Sequence, residues 1–171
     1  MNEITSKLKT LTALVVAHNE EDNLAACLDT LKFADEIVVV LDKCTDGSKA
    51  IAAGYTNKLI EGSWDIEGPR RHAGIDVCTG DWILEVDADE RVSPELATEI
   101  VDKIQTAPFG HFLIPYDNYV GDHLVRYGWG ASWGVSATVR LYAQGERKSA
   151  VWGRGVVVVG AGNSSKKRRA G

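Results

Sequence analysis

Residues 68–96 read GPRRHAGIDVCTGDWILEVDADERVSPEL. Gly68-Pro69 opens a helix that the spacing carries to about Cys78, with Pro69 in the first turn, where its missing N–H costs nothing. Gly80 stops it. Residues 82–86 (WILEV) are a short apolar run, the pattern of a strand buried on both faces. The run leaves into Asp87-Ala88-Asp89-Glu90. Ser93-Pro94-Glu95 then starts a second helix, with Ser93 as cap and an acid in the first turn, and it runs to about Thr106.

The same unit recurs upstream. Residues 11–17 (LTALVVA) form a buried strand that ends at His18-Asn19-Glu20-Glu21-Asp22. Asn19 or Asp22 is placed to cap a helix whose apolar positions Leu24, Cys27, Leu28 and Leu31 recur at helical spacing. Residues 37–41 (IVVVL) form a second strand, which runs into the polar turn 42–48 (DKCTDGS) and a helix through 50–53. A short third strand is expected at 58–60. Strand and helix alternate four times, which predicts an α/β fold: a mostly parallel sheet with helices on both faces. Beyond Pro108 the pattern changes. Residues 112–115, 137–142 and 156–159 read as extra strands without helices between them. The connection 116–134, rich in Gly, Tyr and Trp, suits a functional loop and a structural one with aromatic anchors equally well.

A chain of 171 residues builds one domain with a sizeable core, not comfortably two. We divide it into a body, 1–150, and a tail, 151–171. The body carries 14 Lys and Arg against 24 Asp and Glu, an acidity that argues against nucleic-acid binding. The tail has five basic residues and no acid. It reads as a solvated, disordered end, and Lys166-Lys167-Arg168-Arg169 offers peripheral contact with anionic lipid as the alternative. No apolar stretch is long enough to span a bilayer, and the polar start, residues 1–10, gives the expectation of a cytoplasmic protein. Cys27, Cys44 and Cys78 are odd in number and too scattered for a disulfide framework or zinc site.

In open parallel α/β sheets, ligands bind beyond the carboxyl ends of the strands. Three strands here end in polar groups: Asn19-Glu20, Asp42 and Asp87-Ala88-Asp89. All three are expected on one rim. Two carboxylates one residue apart can hold Mg2+ or Mn2+, hard cations that take oxygen ligands and leave positions for water and phosphate. A D-x-D tripeptide is also common as a solvated acidic turn; the buried strand in front of it favours the metal. Arg70 and Arg71 could pair with a diphosphate, although two adjacent cations by themselves read better as a solvated helix face. Residues 156–164 (VVVVGAGNS) imitate a dinucleotide fingerprint but lack its third glycine. No nucleophile elbow and no phosphate-binding G-x-x-x-x-G-K-[ST] loop occurs.

Together LVVAHNEEDNLAACLDTL (14–31), DEIVVVLDKCTDGSKAIA (35–52), residues 68–96 and, more weakly, VRLYAQGE (139–146) resemble family 2 glycosyltransferases. More narrowly they resemble the bacterial branch that includes lipopolysaccharide core glucosyltransferases. The resemblance implies a GT-A, Rossmann-like fold and metal-dependent, inverting transfer of a sugar. The donor would be a nucleotide-sugar, typically UDP-linked, and the acceptor a cell-envelope glycan or lipid-linked molecule at the inner face of the membrane. It implies that His18, Asn19, Glu20, Asp42, Asp46, Arg71 and Asp87 line the nucleotide-sugar site and that Asp87 and Asp89 bind the metal. His72 stands where relatives often have Asn. The family's catalytic base is an acid well after the D-x-D. Asp117, Asp122 and Glu146 are the weak candidates for it, and the end VVVVGAGNSSKKRRAG departs from the family as truncation, frameshift or divergence would. Two rivals stand beside the enzyme: a truncated, non-catalytic nucleotide-sugar binding domain, and a nucleotidyltransferase. The second should carry a Gly-rich basic loop where HNEEDN stands.

Overall fold

The computed structural model describes residues 8–116, 119–120, 123–124 and 136–145. The elements are β1 (Leu11–Ala17), α1 (Leu24–Asp29), β2 (Glu36–Asp42), α2 (Ser48–Ala53), β3 (Leu59–Gly62), α3 (Glu67–Ile75), β4 (Trp82–Asp87) and α4 (Pro94–Thr106), followed by β5 (His111–Tyr116), β6 (Tyr119–Val120), β7 (His123–Leu124) and β8 (Ser136–Ala143). The expected strand at 156–159, the tail 151–171 and most of the connection 116–134 lie outside the described residues.

Six strands form one sheet in the order β3-β2-β1-β4-β8-β5, and β6 and β7 make a separate two-stranded ribbon. The first four pair in parallel: Val15 of β1 faces Val39 on one side and Val86 on the other. β8 inserts antiparallel between β4 and β5. This is a mixed α/β sheet, mostly parallel, with the extra strands in the C-terminal third.

Burial on both faces explains the apolar runs. One face of the sheet (Leu11, Ala13, Val15, Val39, Trp82, Leu84, Leu141) packs with Leu24, Cys27 and Leu28 of α1 and Leu96, Ile100 and Ile104 of α4. The other face (Leu14, Val38, Val40, Ile83, Tyr142) packs on the α3 side with Ile75 and Cys78. Helices therefore cover both faces. α3 comes close because Gly74 has no side chain; a Cβ there would lie 2.5 Å from Leu14 and 2.7 Å from Val40. α4 starts as its sequence dictates: Ser93 Oγ accepts from the Leu96 N–H at 3.2 Å, and Pro94 takes the first turn. α1 corrects the expected cap. Its N-cap is Asn23, whose side chain makes no capping bond to the helix, and Asn19 is engaged elsewhere. α3 ends at Ile75, three residues short of Cys78.

At the edge where β1 and β2 begin, Glu36 ties three segments together. It accepts from Thr12 Oγ1 at 2.6 Å, from Thr79 N and Thr79 Oγ1 at 2.8 Å each, and from Lys58 Nζ. Burial raises the carboxyl pKa, but Lys58, Thr12 and Thr79 outweigh it and hold it at about 2, against an ordinary 4.5. The folded state thus binds this proton less tightly than the unfolded chain. The Glu36 contribution is complete above the ordinary value and is lost as pH falls toward about 2. Glu36→Gln is expected to lower the melting temperature at neutral pH. In melts repeated at falling pH, the gap from the parent protein should close across that interval.

Candidate active site

Every polar strand end expected on one rim is found there, because β1, β2 and β4 run in parallel and end together: Ala17 pairs with Leu41, and Val16 with Asp87. From β1 the sheet grows through β2 and β3 on one side and begins at β4 on the other. The gap between β1 and β4 is therefore the topological switch point, where such sheets bind ligands.

The loops after β1 and β2 are locked into each other. Asn19 Oδ1 accepts from Thr45 N at 2.8 Å. Asp46 accepts from Glu21 N and from Ser48 N, each at 3.0 Å, and Glu21 Oε2 accepts from Gly47 N at 2.7 Å. Ser48 Oγ accepts from Glu20 N at 3.0 Å, while Glu20 Oε2 accepts from Asn23. His18 is exposed and its Nδ1 lies 2.6 Å from the Asp42 carbonyl oxygen. Asn19 and Lys43 both take left-handed backbone, φ 53° and 50°. Asn tolerates that region; a lysine there stores strain of the kind found at functional turns. Asn19 and Asp46 thus spend their side chains holding the turn rather than facing open space.

Beside this frame runs a chain of carboxylates and guanidinium groups. Asp42, 5% exposed, accepts from Trp64 N at 3.1 Å and from Arg70 Nη1 at 3.0 Å. Burial raises its pKa, yet Trp64 and Arg70 outweigh it and leave the carboxyl below its ordinary value. Arg71 donates from Nε to Glu67 at 2.7 Å and from Nη1 to Glu85 at 2.5 Å, and its Nη2 lies 3.5 Å from Asp87 Oδ1. Arg140 Nη2 bridges Asp87 Oδ2 and Glu90 Oε1, both at 2.8 Å. Burial pushes the Asp87 pKa up, but Arg140, Arg71 and Arg70 together bring it below the usual carboxylate value. Burial wins at Glu90, whose pKa is raised despite Arg140. The two arginines on α3 are not a solvated face: their side chains are 24% and 17% exposed and paired inward. His72 stays exposed, with Nδ1 at 2.9 Å from the Gly68 carbonyl oxygen.

Asp89 stands apart. It is half-buried just past β4 and has no hydrogen-bond or ion-pair partner among the described residues. Asp87 next to it is held ionised by arginine. This all-oxygen pair has the donor chemistry that suits a hard divalent cation, with Asp89 the carboxylate left open. Among the described residues no cluster of three or more His, Cys, Asp or Glu could hold a metal alone. The fit therefore needs ligands from water or a bound phosphate, which is how Mg2+ is commonly held. Two buried donors, Arg70 Nε and Arg140 Nη1, also have no partner among the described residues. A cavity of about 440 Å3 is lined by Arg71 and Arg140, the two arginines that approach Asp87, and by Glu67, Glu85 and Thr138 among others. Cys27 is buried behind the acidic turn, its Sγ 3.6 Å from the Asp87 carbonyl oxygen, with burial pushing the thiol up to about 12. It is an inert core thiol.

Sequence reading missed Glu85, Arg140 and Tyr142 as members of this cluster. The signal for Glu85 was a charge inside an otherwise apolar strand; Arg140 and Tyr142 depend on which strand β8 joins. Asp117, Asp122 and Glu146, the candidates for a base, lie outside the described residues. The loop after β1 holds His18, Asn19, Glu20, Glu21 and Asp22, without the glycines and cations of a nucleotidyltransferase loop.

The model of glycosyl transferase family 2 matches residues 12–156. An uncharacterized glycosyltransferase of Rickettsia felis is 33% identical over 94 residues, covering 54% of this chain and 33% of the relative. The lipopolysaccharide core biosynthesis glycosyltransferase LpsC of Rhizobium meliloti is 34% identical over 95 residues, half of this chain and 34% of the relative. The chain thus spans about a third of the length of these curated relatives. Among solved structures, mannosyl-3-phosphoglycerate synthase of Rubrobacter xylanophilus superposes with a TM-score of 0.54 at 23% identity, over 63% of this chain and 40% of that one. Glucosyl-3-phosphoglycerate synthase of Mycobacterium tuberculosis, solved with Mg2+ and UDP, gives 0.53 at 18% identity, over 63% and 43%. The sheet and its helices are the GT-A fold.

The left-handed backbone at Asn19 yields a stability test. Asn19→Gly keeps the conformation accessible and should cost only the lost bond to the Thr45 N–H. Asn19→Val forces a branched side chain into it and should cost about 1–2 kcal/mol more, read by denaturant melts.

Proposed function

The chain belongs to glycosyl transferase family 2, and we propose on that premise that it transfers a sugar from a UDP-linked nucleotide-sugar to a cell-envelope glycan or lipid-linked acceptor. The observation that carries the reading is Asp89. It is a half-buried carboxylate without a partner among the described residues, next to an arginine-held Asp87, at the switch point of a GT-A sheet. The UDP bound to the mycobacterial synthase and the lipopolysaccharide role in the name of the Rhizobium relative support the choice of donor and acceptor.

In this reading the frame of His18, Asn19, Glu20 and Asp46 shapes the nucleotide pocket and Asp42 offers its remaining acceptor capacity to the base. Arg70 and Arg71 face the diphosphate. Asp87 and Asp89 would hold Mg2+ or Mn2+, the ions with which the mycobacterial synthase was crystallised together with UDP. When bound, the cation would neutralise charge on the departing nucleoside diphosphate. The arginines add preorganised positive charge to the same end. A carboxylate deprotonates the acceptor hydroxyl, which attacks the anomeric carbon from the opposite face and inverts it. Asp117, Asp122 and Glu146 remain the candidates for that base. Among the described residues no helix is long and apolar enough to cross a membrane. We place the reaction in the cytoplasm; residues 166–169 read as a solvated end, with contact to anionic lipid at the inner membrane face as the alternative.

Calorimetric titration of UDP, with and without Mn2+, tests this. UDP should bind in a metal-dependent way, and Asp89→Ala should abolish the metal dependence while the fold, checked by circular dichroism, survives. Failure of the parent protein to bind UDP under any metal condition would sink the donor assignment. Metal-dependent binding that persists in Asp89→Ala would sink the metal assignment alone.

A further inference from the structure

Glu85 is an anomaly in its strand. Along β4, Trp82, Leu84 and Val86 enter the main core, while Ile83 enters the second core on the opposite face. Glu85 shares the face of Ile83 and is only 7% exposed. A carboxylate at such a place is costly unless it is paired and hydrogen-bonded. Here Tyr142 Oη donates to Oε1 at 2.6 Å and Arg71 Nη1 donates to Oε2 at 2.5 Å. Tyr142, 3% exposed, arrives on β8, in register with Ile83.

A buried ion pair is a poor device for stability alone, since an apolar residue of like volume often serves as well. What the pair does achieve is orientation. Arg71 is gripped at two of its three nitrogens, Nε by Glu67 and Nη1 by Glu85. Glu67 is 62% exposed, so water competes for it, whereas the Glu85 side chain is 8% exposed and is the firm anchor. Nη2 has only a 3.5 Å approach to Asp87, at the limit of a hydrogen bond, and the cavity beside it is open. The guanidinium fork is rigid, so fixing Nη1 fixes where Nη2 points.

We infer that Glu85, held by Tyr142, is a positioning residue that sets Arg71 so that Nη2 meets the diphosphate of the donor. The inference rests on the nucleotide-sugar reading above. Its test compares UDP with uridine, which lacks the phosphates. Both are titrated with Mn2+ present, uridine followed by ligand-observed NMR. Glu85→Gln should weaken UDP binding roughly tenfold, the scale of one charge-assisted hydrogen bond, and leave uridine unchanged. Tyr142→Phe should act in the same direction by less. In an Arg71→Ala background, Glu85→Gln should cost nothing further, because its effect runs through Arg71. Should Glu85→Gln fail to fold, Tyr142→Phe is read in its place by the same criteria. Equal weakening of UDP and uridine, unchanged UDP affinity, or losses that add to those of Arg71→Ala would overturn the positioning role. A parent protein that binds no UDP would overturn the donor reading and this inference with it.

Discussion

The parallel pairing of β1 with β2 on one side and β4 on the other is the constraint from which the rest follows. Parallel strands send their carboxyl ends to one edge, and a parallel sheet needs helices on both faces to dispose of its apolar surface. The buried runs LTALVVA, EIVVVLD and WILEVD meet the second demand. The first brings His18, Asp42 and Asp87 within one loop's reach of each other.

The two edges of the sheet have divided their work. At the edge where β1 and β2 begin, Glu36 is saturated by Thr12, Lys58 and Thr79, a closed network whose effect is stability. At the other edge the network is left incomplete. Asp89 has no partner among the described residues, and Arg70 Nε and Arg140 Nη1 are buried without one. Buried polar groups are nearly always satisfied in proteins, so an edge that collects exceptions is where a ligand's oxygens and charge are most easily accommodated. The arginines hold Asp87 ionised in advance, and preorganised charge of this kind needs no rearrangement when a ligand arrives.

Local chemistry also explains where expectation and structure part. Asn19 looked like a helix cap because Asn before an apolar period usually is one. It was instead recruited across 26 positions to the Thr45 N–H, a partner that exists only once β1 and β2 lie side by side. Asp46 belongs to the D-x-x-T-D-G-S turn that carried the family resemblance, and it proves to brace that turn through two backbone N–H groups. Arg70 and Arg71 looked like a solvated face because helical spacing shows which residues adjoin and not what a neighbouring strand presents to them.

The sequence by itself determined the class of fold, the order of its elements and the rim on which the polar strand ends meet. Those depend on hydrophobic period, caps and the rule for parallel sheets, all of which act over a few residues. It also marked Asp87 and Asp89, because an acidic turn after a buried strand is visible in nine consecutive letters. Only the tertiary structure decided which carboxylates are occupied and which is open. Arg140 reaches Asp87 across 53 positions, and Tyr142 reaches Glu85 across 57. Both contacts exist because β8 inserts beside β4 instead of following β5 to the edge. Strand order is settled by the packing of the whole sheet, and no local pattern encodes it.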